Sequence, residues 1–512
     1  MKLAMSAMVS TIDAYCRDEL GIPTSVLMKK SGDAVAAVIK ERAPKNKHVV
    51  ILAGKGNNGG DGYAAAAELV GEYDVVVYDV FSAGQKTDEG REFLKLYESR
   101  GGKIINFEPT EQILSHIKSA GCIVDAIFGT GFQGEMPEQL RPLAVTIREA
   151  VEAQKIAIDV PLGINADNGS VSDFAISVGA TVELSFIKPG IISYPARSFV
   201  GRIIHDDLGL PRKKITGAFD FKYHMVDSEW VEHHFKLREN NSNKGTFGKL
   251  LVITGSERYR GAAHLSLDAA LRGGVGLVTY LGTPSLISEL SQKYPEAIYK
   301  SVGSVSEIID ASSRHTVTLI GSGSDNTDEL LSLTLSLLSA EGGPLILDAD
   351  AINALASLGD EGPRVIKNAK RTVVLTPHPL EFARLSGTSV AAVQQHRLEA
   401  AVKFAKENRC ILILKGAGTV ITDGNEVYIN AVGSSALAKA GSGDVLAGYM
   451  ASMIAQNTAE ILHSAALSVY FHALAGESLA EEFSSYGVIP SDLSLEIARQ
   501  MAKTEKELKG RI

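Results

Sequence analysis

Short apolar, β-branched runs alternate with helical stretches twice along this chain, and that alternation limits its fold more than any other feature. In the first half the runs fall at 48–53, 74–80, 121–128, 155–160 and 180–186, behind helices expected over 10–19 and 26–41. Strands spaced this way are joined by crossover helices, so the pattern predicts βαβ units and a parallel sheet buried on both faces. Around 207–243 the pattern breaks at Pro211, a charged stretch and the polar cluster Asn240-Asn241-Ser242-Asn243, which reads as a linker. It restarts with runs at 249–254, 276–281, 316–321, 344–348, 372–376, 410–415 and 419–422, and the chain from 444 to about 480 reads as mainly helical. A chain of 512 residues is too long for one ordinary core. The halves share no repeated motif, so two different α/β domains are expected, over 1–212 and 241–512, joined by 213–240.

The sharpest chemical signal is Gly441-Ser442-Gly443-Asp444 ahead of an apolar helical run. Small residues there leave backbone N–H groups free at a helix N-terminus, where unpaired donors and the helix dipole attract an anion. A carboxylate in that turn is out of place if phosphate binding is the only task. It fits if Asp444 takes a proton from a hydroxyl while the turn holds the phosphate moving to it. Other strand ends of this half carry Asp348 and Asp350, His378 between two prolines, and Lys415-Gly416-Ala417-Gly418-Thr419. Such groups suit a nucleotide-plus-metal site. Taken singly, the two aspartates also read as helix caps, His378 as part of a rigid turn, and Lys415 as a hairpin lysine.

In the first half, Gly54-Lys55-Gly56-Asn57-Asn58-Gly59-Gly60-Asp61-Gly62 follows a predicted strand and opens a helix expected over 63–70. Glycines let the backbone approach a phosphate or ribose, while Asn57, Asn58 and Asp61 add polar groups that a plain turn does not need. Asp125, followed by Gly129-Thr130-Gly131, and Asp159 end two further strands, and ligands gather at the carboxyl ends of parallel strands. Asn58 and Asp125 offer hard oxygens to a cation, and Asp159 is a proton carrier by type.

With the motifs in view, GKGNNGGDG, VDAIFGTG and IDVPLGINADNG resemble the NAD(P)H-hydrate epimerase domain over roughly 5–210. The resemblance implies a Rossmann-like three-layer sandwich. It implies substrate contacts from Asn57, Asn58, Gly59, Gly60 and Asp61, from the loop Gly129-Thr130-Gly131-Phe132-Gln133-Gly134-Glu135, and from Asp159 as acid/base. It also implies a potassium ion at Asn58, Asp125 and the backbone of Leu162. From about 240 onward, LDADAINAL, LTPHP and AGSGDVLAG resemble the ADP- or ATP-dependent NAD(P)H-hydrate dehydratase, a ribokinase-like α/β fold. Here the implied hydrate contacts are Ala262, Gly323, His378 and Asp444, with Asp444 as base. The implied nucleotide contacts are Lys415, Gly416, Ala417, Gly418, Thr419, Gly441, Ser442 and Gly443, with Mg²⁺ shielding the phosphates.

The expected function is therefore repair of hydrated NADH and NADPH: epimerisation of the R and S hydrates, then nucleotide-dependent dehydration of the S form. Departures from the family pattern keep rivals open. Leu162 stands where a serine is usual, and Lys29-Lys30-Ser31-Gly32 where Glu-Asn-Ala-Gly is usual, which would suit a noncatalytic binding module. Gly321-Ser322-Gly323-Ser324-Asp325 replaces a Gly-Pro-Gly-Leu-Gly turn, and Asp325 adds negative charge near the phosphate site. A ribokinase-like kinase for a small alcohol would keep the Gly441–Asp444 turn and release a stable phosphoester.

A net charge of −9 argues against nucleic-acid partners, so anionic ligands depend on local amides and lysines. No run is apolar and long enough to span a bilayer, and no secretory signal is expected at the start. Cys16, Cys122 and Cys410 lie far apart, as in a reduced, cytoplasmic protein. Both families lead one to expect a homo-oligomer.

Overall fold

The computed structural model describes residues 1–44, 48–81, 86–132 and 136–510. The chain divides into two compact units, Lys2–Tyr223 and His224–Ile512, the latter with Met1. The division falls inside 213–240, the expected linker, and that segment is structured. It carries helices Arg212–Ala218 and Ser228–His234, and Trp230 is buried in the core of the second unit.

The first unit is built on β1 (Val49–Ala53), β2 (Val75–Asp79), β3 (Lys103–Asn106), β4 (Cys122–Ala126), β5 (Gln154–Ile158), β6 (Ala180–Leu184) and β7 (Arg202–Asp206). All pair in parallel, in the order β3-β2-β1-β4-β5-β6-β7. Side chains alternate across a strand, so Val49, Ile51 and Ala53 enter one apolar cluster while Val50 and Leu52 enter another. The sheet is thus covered on both faces, the three-layer sandwich expected. Helices α1 (Ser6–Asp18), α2 (Thr24–Arg42) and α3 (Asn57–Leu69) contribute to the first cluster.

Strand order reverses between β1 and β4, and a parallel sheet opens a crevice beyond the carboxyl ends at that point. The chain turns there so tightly that a Cβ on Gly54 would lie 1.9 Å from the Ile127 carbonyl oxygen, and one on Gly59 would lie 2.0 Å from that of Gly54. The helix begins at Asn57, not near 63 as the glycine run suggested. Glycines are poor helix formers, but here their missing side chains are what let α3 pack against β1. Gly54→Ala should therefore destabilise the first unit by about 1–3 kcal/mol or more, read as a lower denaturant midpoint. An unchanged midpoint would mean that the β1–β4 contact is loose.

The second unit has β8 (Lys249–Ile253), β9 (Leu277–Gly282), β10 (Ile298–Ser301), β11 (Val317–Ile320), β12 (Leu345–Leu347), β13 (Val373–Leu375), β14 (Ile411–Leu414), β15 (Val420–Thr422) and β16 (Val427–Asn430). They run in the order β16-β15-β14-β13-β12-β11-β8-β9-β10, parallel except that β15 is antiparallel to both its neighbours. The reversal lies between β8 and β11. The helices that bear on the site are α4 (Arg260–Arg272), α5 (Ala349–Ala356), α6 (Pro379–Ser386), α7 (Ser442–Gln456), α8 (Ile461–Gly487) and α9 (Pro490–Lys509). Helix α7 meets α4 backbone to backbone, since a Cβ on Gly448 would lie 2.0 Å from the Ser266 carbonyl oxygen. Among the described residues no helix is long and apolar enough to cross a membrane, and all three cysteines are buried and free.

Candidate active sites

At the switch point of the first unit lies a cavity of about 430 Å³. Its walls bring together Asn57, Asn58 and Asp61 from the start of α3 with Gly129, Thr130, Gly131 and Asp159 from two loops. Gly59 and Gly60 serve packing, the first on the Gly54 carbonyl and the second on the Met28 methyl. Phe132 is buried and its ring lies 5.6 Å from that of Phe128. Gln133, Gly134 and Glu135 lie outside the described residues.

Asp159 follows β5 at φ 66° and is held on both oxygens. Oδ2 accepts the Thr130 N–H at 3.1 Å, and Oδ1 pairs with the Lys188 ammonium. Lys188 is fully buried and also donates to Glu183 Oε2 at 3.1 Å and to the Leu184 carbonyl at 3.2 Å, so its three protons are all used. Burial opposes the ammonium charge, but Asp159 and Glu183 outweigh it and keep Lys188 protonated. Burial, reinforced by Asp159, pushes Asp61 well above the usual carboxylate range, and burial likewise raises Glu183. Asp13, on α1, also lines the cavity and is pushed up to about 6, by burial first, with Lys188 opposing.

Sequence reading missed Asp13, Glu183 and Lys188. The available signal was a lone glutamate inside the buried strand β6 with a lysine five residues on, since unpaired charges are not carried into a core. The unusual Lys29 and Lys30 do not enter the cavity. Lys29 pairs with Asp33 and Glu68, and Lys30 donates to the Leu208 carbonyl at 2.7 Å.

For a cation the decisive residue is Asn58, whose buried amide oxygen and nitrogen have no hydrogen-bond partner among the described residues. Asp125 accepts N–H groups from Ile127 at 3.1 Å and Leu162 at 2.6 Å, and burial pushes it up to about 7. Leu162 therefore turns its N–H, not its carbonyl, to Asp125; the carbonyl accepts from Ile176 at 3.1 Å.

The second unit has a cavity of about 450 Å³ walled by Ala262, Gly323, Asp350, Gly441 and Asp444, with Arg258, Tyr259 and Leu265. Gly441 caps α7 at φ 98°, a conformation only glycine takes freely, and opens the first turn toward the cavity. Burial first and Asp348 next push Asp444 up to about 7, against the pull of Lys415. A carboxyl poised there suits a general base. Beneath the turn, His472 is buried with Nε2 3.1 Å from the Ser442 carbonyl, and burial brings it down to about 4.

Asp348 stands at the N-cap of α5 but makes no capping bond. It accepts instead from Ser322 Oγ at 2.8 Å, Thr376 Oγ1 at 2.7 Å and Lys415 Nζ at 2.9 Å. Lys415 is thus no solvated hairpin lysine, and a Cβ on Gly443 would lie only 3.3 Å from its ammonium. Asp350 takes backbone N–H groups from Ser324 and Asp325, so the departing turn grips a cavity carboxylate. His378 caps α6, its Nδ1 accepting from Leu380 and Glu381, and it reaches the cluster through Glu381. Neither it nor the exposed Gly416 and Ala417 wall this cavity.

Residues 24–190 match the family described as YjeF-related protein N-terminus, and residues 250–499 match NAD(P)H-hydrate dehydratase. The bifunctional NAD(P)H-hydrate repair enzyme of Moorella thermoacetica is 33% identical over 96% of this chain and 95% of its own. The chain belongs to the bifunctional NAD(P)H-hydrate repair enzyme family. The Escherichia coli repair enzyme is 30% identical over 93% of this chain and 89% of its own. Among solved structures, the ADP/ATP-dependent NAD(P)H-hydrate dehydratase of Bacillus subtilis, co-crystallized with ATP/Mg²⁺, is 29% identical with a TM-score of 0.50. It covers 55% of this chain and 99% of its own. In repair-enzyme terms the first cavity falls in the epimerase half and the second in the dehydratase half.

Proposed function

We infer that this chain repairs hydrated NADH and NADPH with two active sites. The observation that carries the reading is full-length similarity to bifunctional repair enzymes, with a cavity carboxylate in each half where the chemistry needs one. In the first unit Asp159 moves a proton at the hydroxyl-bearing carbon, its orientation fixed by Thr130 and Lys188. In the second, Asp444 takes the proton of the S-hydrate hydroxyl as the phosphoryl group of ADP or ATP arrives. The first turn of α7 offers N–H groups to that phosphate, and Lys415 supplies the charge behind them. Phosphorylation turns a poor leaving group into a good one, and loss of phosphate restores the reduced nicotinamide.

The reading includes two metal ions. The unpartnered amide oxygen of Asn58, next to Gly129, suits potassium, which would supply a fixed positive charge there, with buried Asp125 the nearest carboxylate in the sequence motif. Asp350 faces the second cavity and suits Mg²⁺ carried with the nucleotide, which would neutralise phosphate charge. Three buried free thiols support a cytoplasmic location. Neither Lys29 nor Lys30 lines the cavity, which weakens one of the grounds, beside Leu162, for reading the first unit as a noncatalytic module.

The test supplies an epimer mixture of NADH hydrate with ATP or ADP, Mg²⁺ and either potassium or choline, and follows the reduced-nicotinamide absorbance. The expected result is full recovery, faster than spontaneous epimerisation, with the second phase dependent on potassium. A plateau at the S fraction would remove the epimerase assignment, and no recovery at all would remove both.

A further inference from the structure

One carboxyl in the first cavity has no part in the reading above. Asp13 lies on α1 one turn after Val9, and both face the cavity that Asp61, Asp159 and Lys188 also line. Helix α1 precedes residues 24–190, the part matched to the family. The three carboxyls are held differently. Asp159 is fixed by Thr130 and Lys188, and Asp61 is hydrogen-bonded to Ser31. Among the described residues no hydrogen bond or ion pair fixes Asp13.

One route that inverts the hydroxyl-bearing carbon breaks its C–O bond, with the ring nitrogen supplying electrons, and reforms it on the other face of the ring. The departing oxygen must gain a proton, and the incoming water must lose one. A single carboxyl cannot serve both faces, so the chemistry calls for two proton carriers reaching the ring from different walls.

We propose that Asp13 is the second proton carrier of epimerisation, paired with Asp159. The inference rests on the epimerase reading. In one direction the Asp13 carboxylic acid protonates the hydroxyl and the C–O bond breaks, releasing water. The ring-nitrogen lone pair forms a C=N⁺ bond to the same carbon. Water then adds to the opposite face, the C=N electron pair returns to nitrogen, and the extra proton passes to the Asp159 carboxylate. Asp13 ends ionised and Asp159 protonated, which is the starting state for the reverse direction. The pocket suits the acid role, since burial keeps the Asp13 proton until about pH 6, with Lys188 opposing and Asp159 assisting. Asp61, Lys188 and Lys55 are the other charged groups facing the cavity.

The experiment uses the full-length protein with an R-enriched NADH hydrate, ATP, Mg²⁺ and potassium. The fast phase reports dehydration of the S form, and the slow phase reports R-to-S conversion. Asp13→Asn should leave the fast phase intact and slow the second by about 10²-fold. It should also remove the alkaline limb of the slow-phase pH profile, while Asp13→Glu keeps that limb and most of the rate. Failure of the parent protein to convert the R form would sink the epimerase reading itself. A normal parent with Asp13→Asn within threefold of it would overturn the role of Asp13. So would a slowed variant whose pH profile is unchanged, because packing alone would then explain the loss. Should Asp13→Asn not fold, the Asp13→Glu profile decides: a rate or alkaline limb lost with the carboxyl still present overturns the proposal.

Discussion

Asp444→Asn is expected to cut nucleotide-dependent recovery of NADH from the S hydrate by about 10³-fold while R/S epimerisation continues unchanged. Asparagine keeps the shape of the turn and its N–H groups, so phosphate binding survives while proton removal does not. Loss of both activities together would contradict the assignment of one reaction to each unit. The parent enzyme should show the base directly. In the proposed role Asp444 works as a carboxylate, and it is raised to about 7, so dehydration should be half-maximal near that pH and fall about tenfold per unit below it. The same shift has a stability cost. Between the unfolded value of 3.8 and about 7 the folded chain holds a proton that the unfolded chain has released. Stability from this group therefore falls as pH rises through that window. An asparagine at this position carries no such liability, and the variant should melt higher than the parent above pH 7.

Lys415→Met should be the second large loss, with dehydration down about 10²-fold and its pH midpoint moved up. Lys415 is the cation that lowers Asp444, and without it burial and Asp348 act unopposed. Asp348, buried and left with only Ser322 and Thr376 as side-chain donors, would also weaken the second unit, by about 3–5 kcal/mol as for other broken buried pairs. Profiles of kcat/KM against pH separate these effects, because simple unfolding lowers amplitude without moving the midpoint. A midpoint still near 7 would show that Lys415 does not act on the base.

The central strands could be read from sequence because both their faces are buried, which leaves uninterrupted runs such as Val49–Ala53 and Val75–Asp79. The strands that escaped were mostly at sheet margins. Lys103–Asn106, Arg202–Asp206 and Ile298–Ser301 end their sheets in these units, are partly solvated, and mix charged with apolar residues. Val427–Asn430 is buried but only four residues long, behind a polar turn. Among the cavity-lining residues, Asn58, Asp159 and Asp444 stood out in the sequence as polar groups at strand ends or helix starts. What could not be read was pairing across distance. Nothing local to Asp348 announces Ser322, Thr376 and Lys415 as its partners, and nothing local to Lys188 announces Asp159. Such contacts are set by how strand ends line up across a sheet.

The crossing of α7 on α4 fixes the helix that carries Asp444. Asp444 and Gly448 are one turn apart on the same helix, and at Gly448 the two backbones touch. Regions that open easily have few buried contacts, and binding elements are usually drawn from them. Here Asp444 sits at the end of a helix whose residues Val445, Leu446, Ala447, Tyr449, Met450 and Ala451 are all buried. The turn that carries Asp444 is accordingly anchored by the packing of its own helix, so a ligand entering the second cavity meets it already assembled.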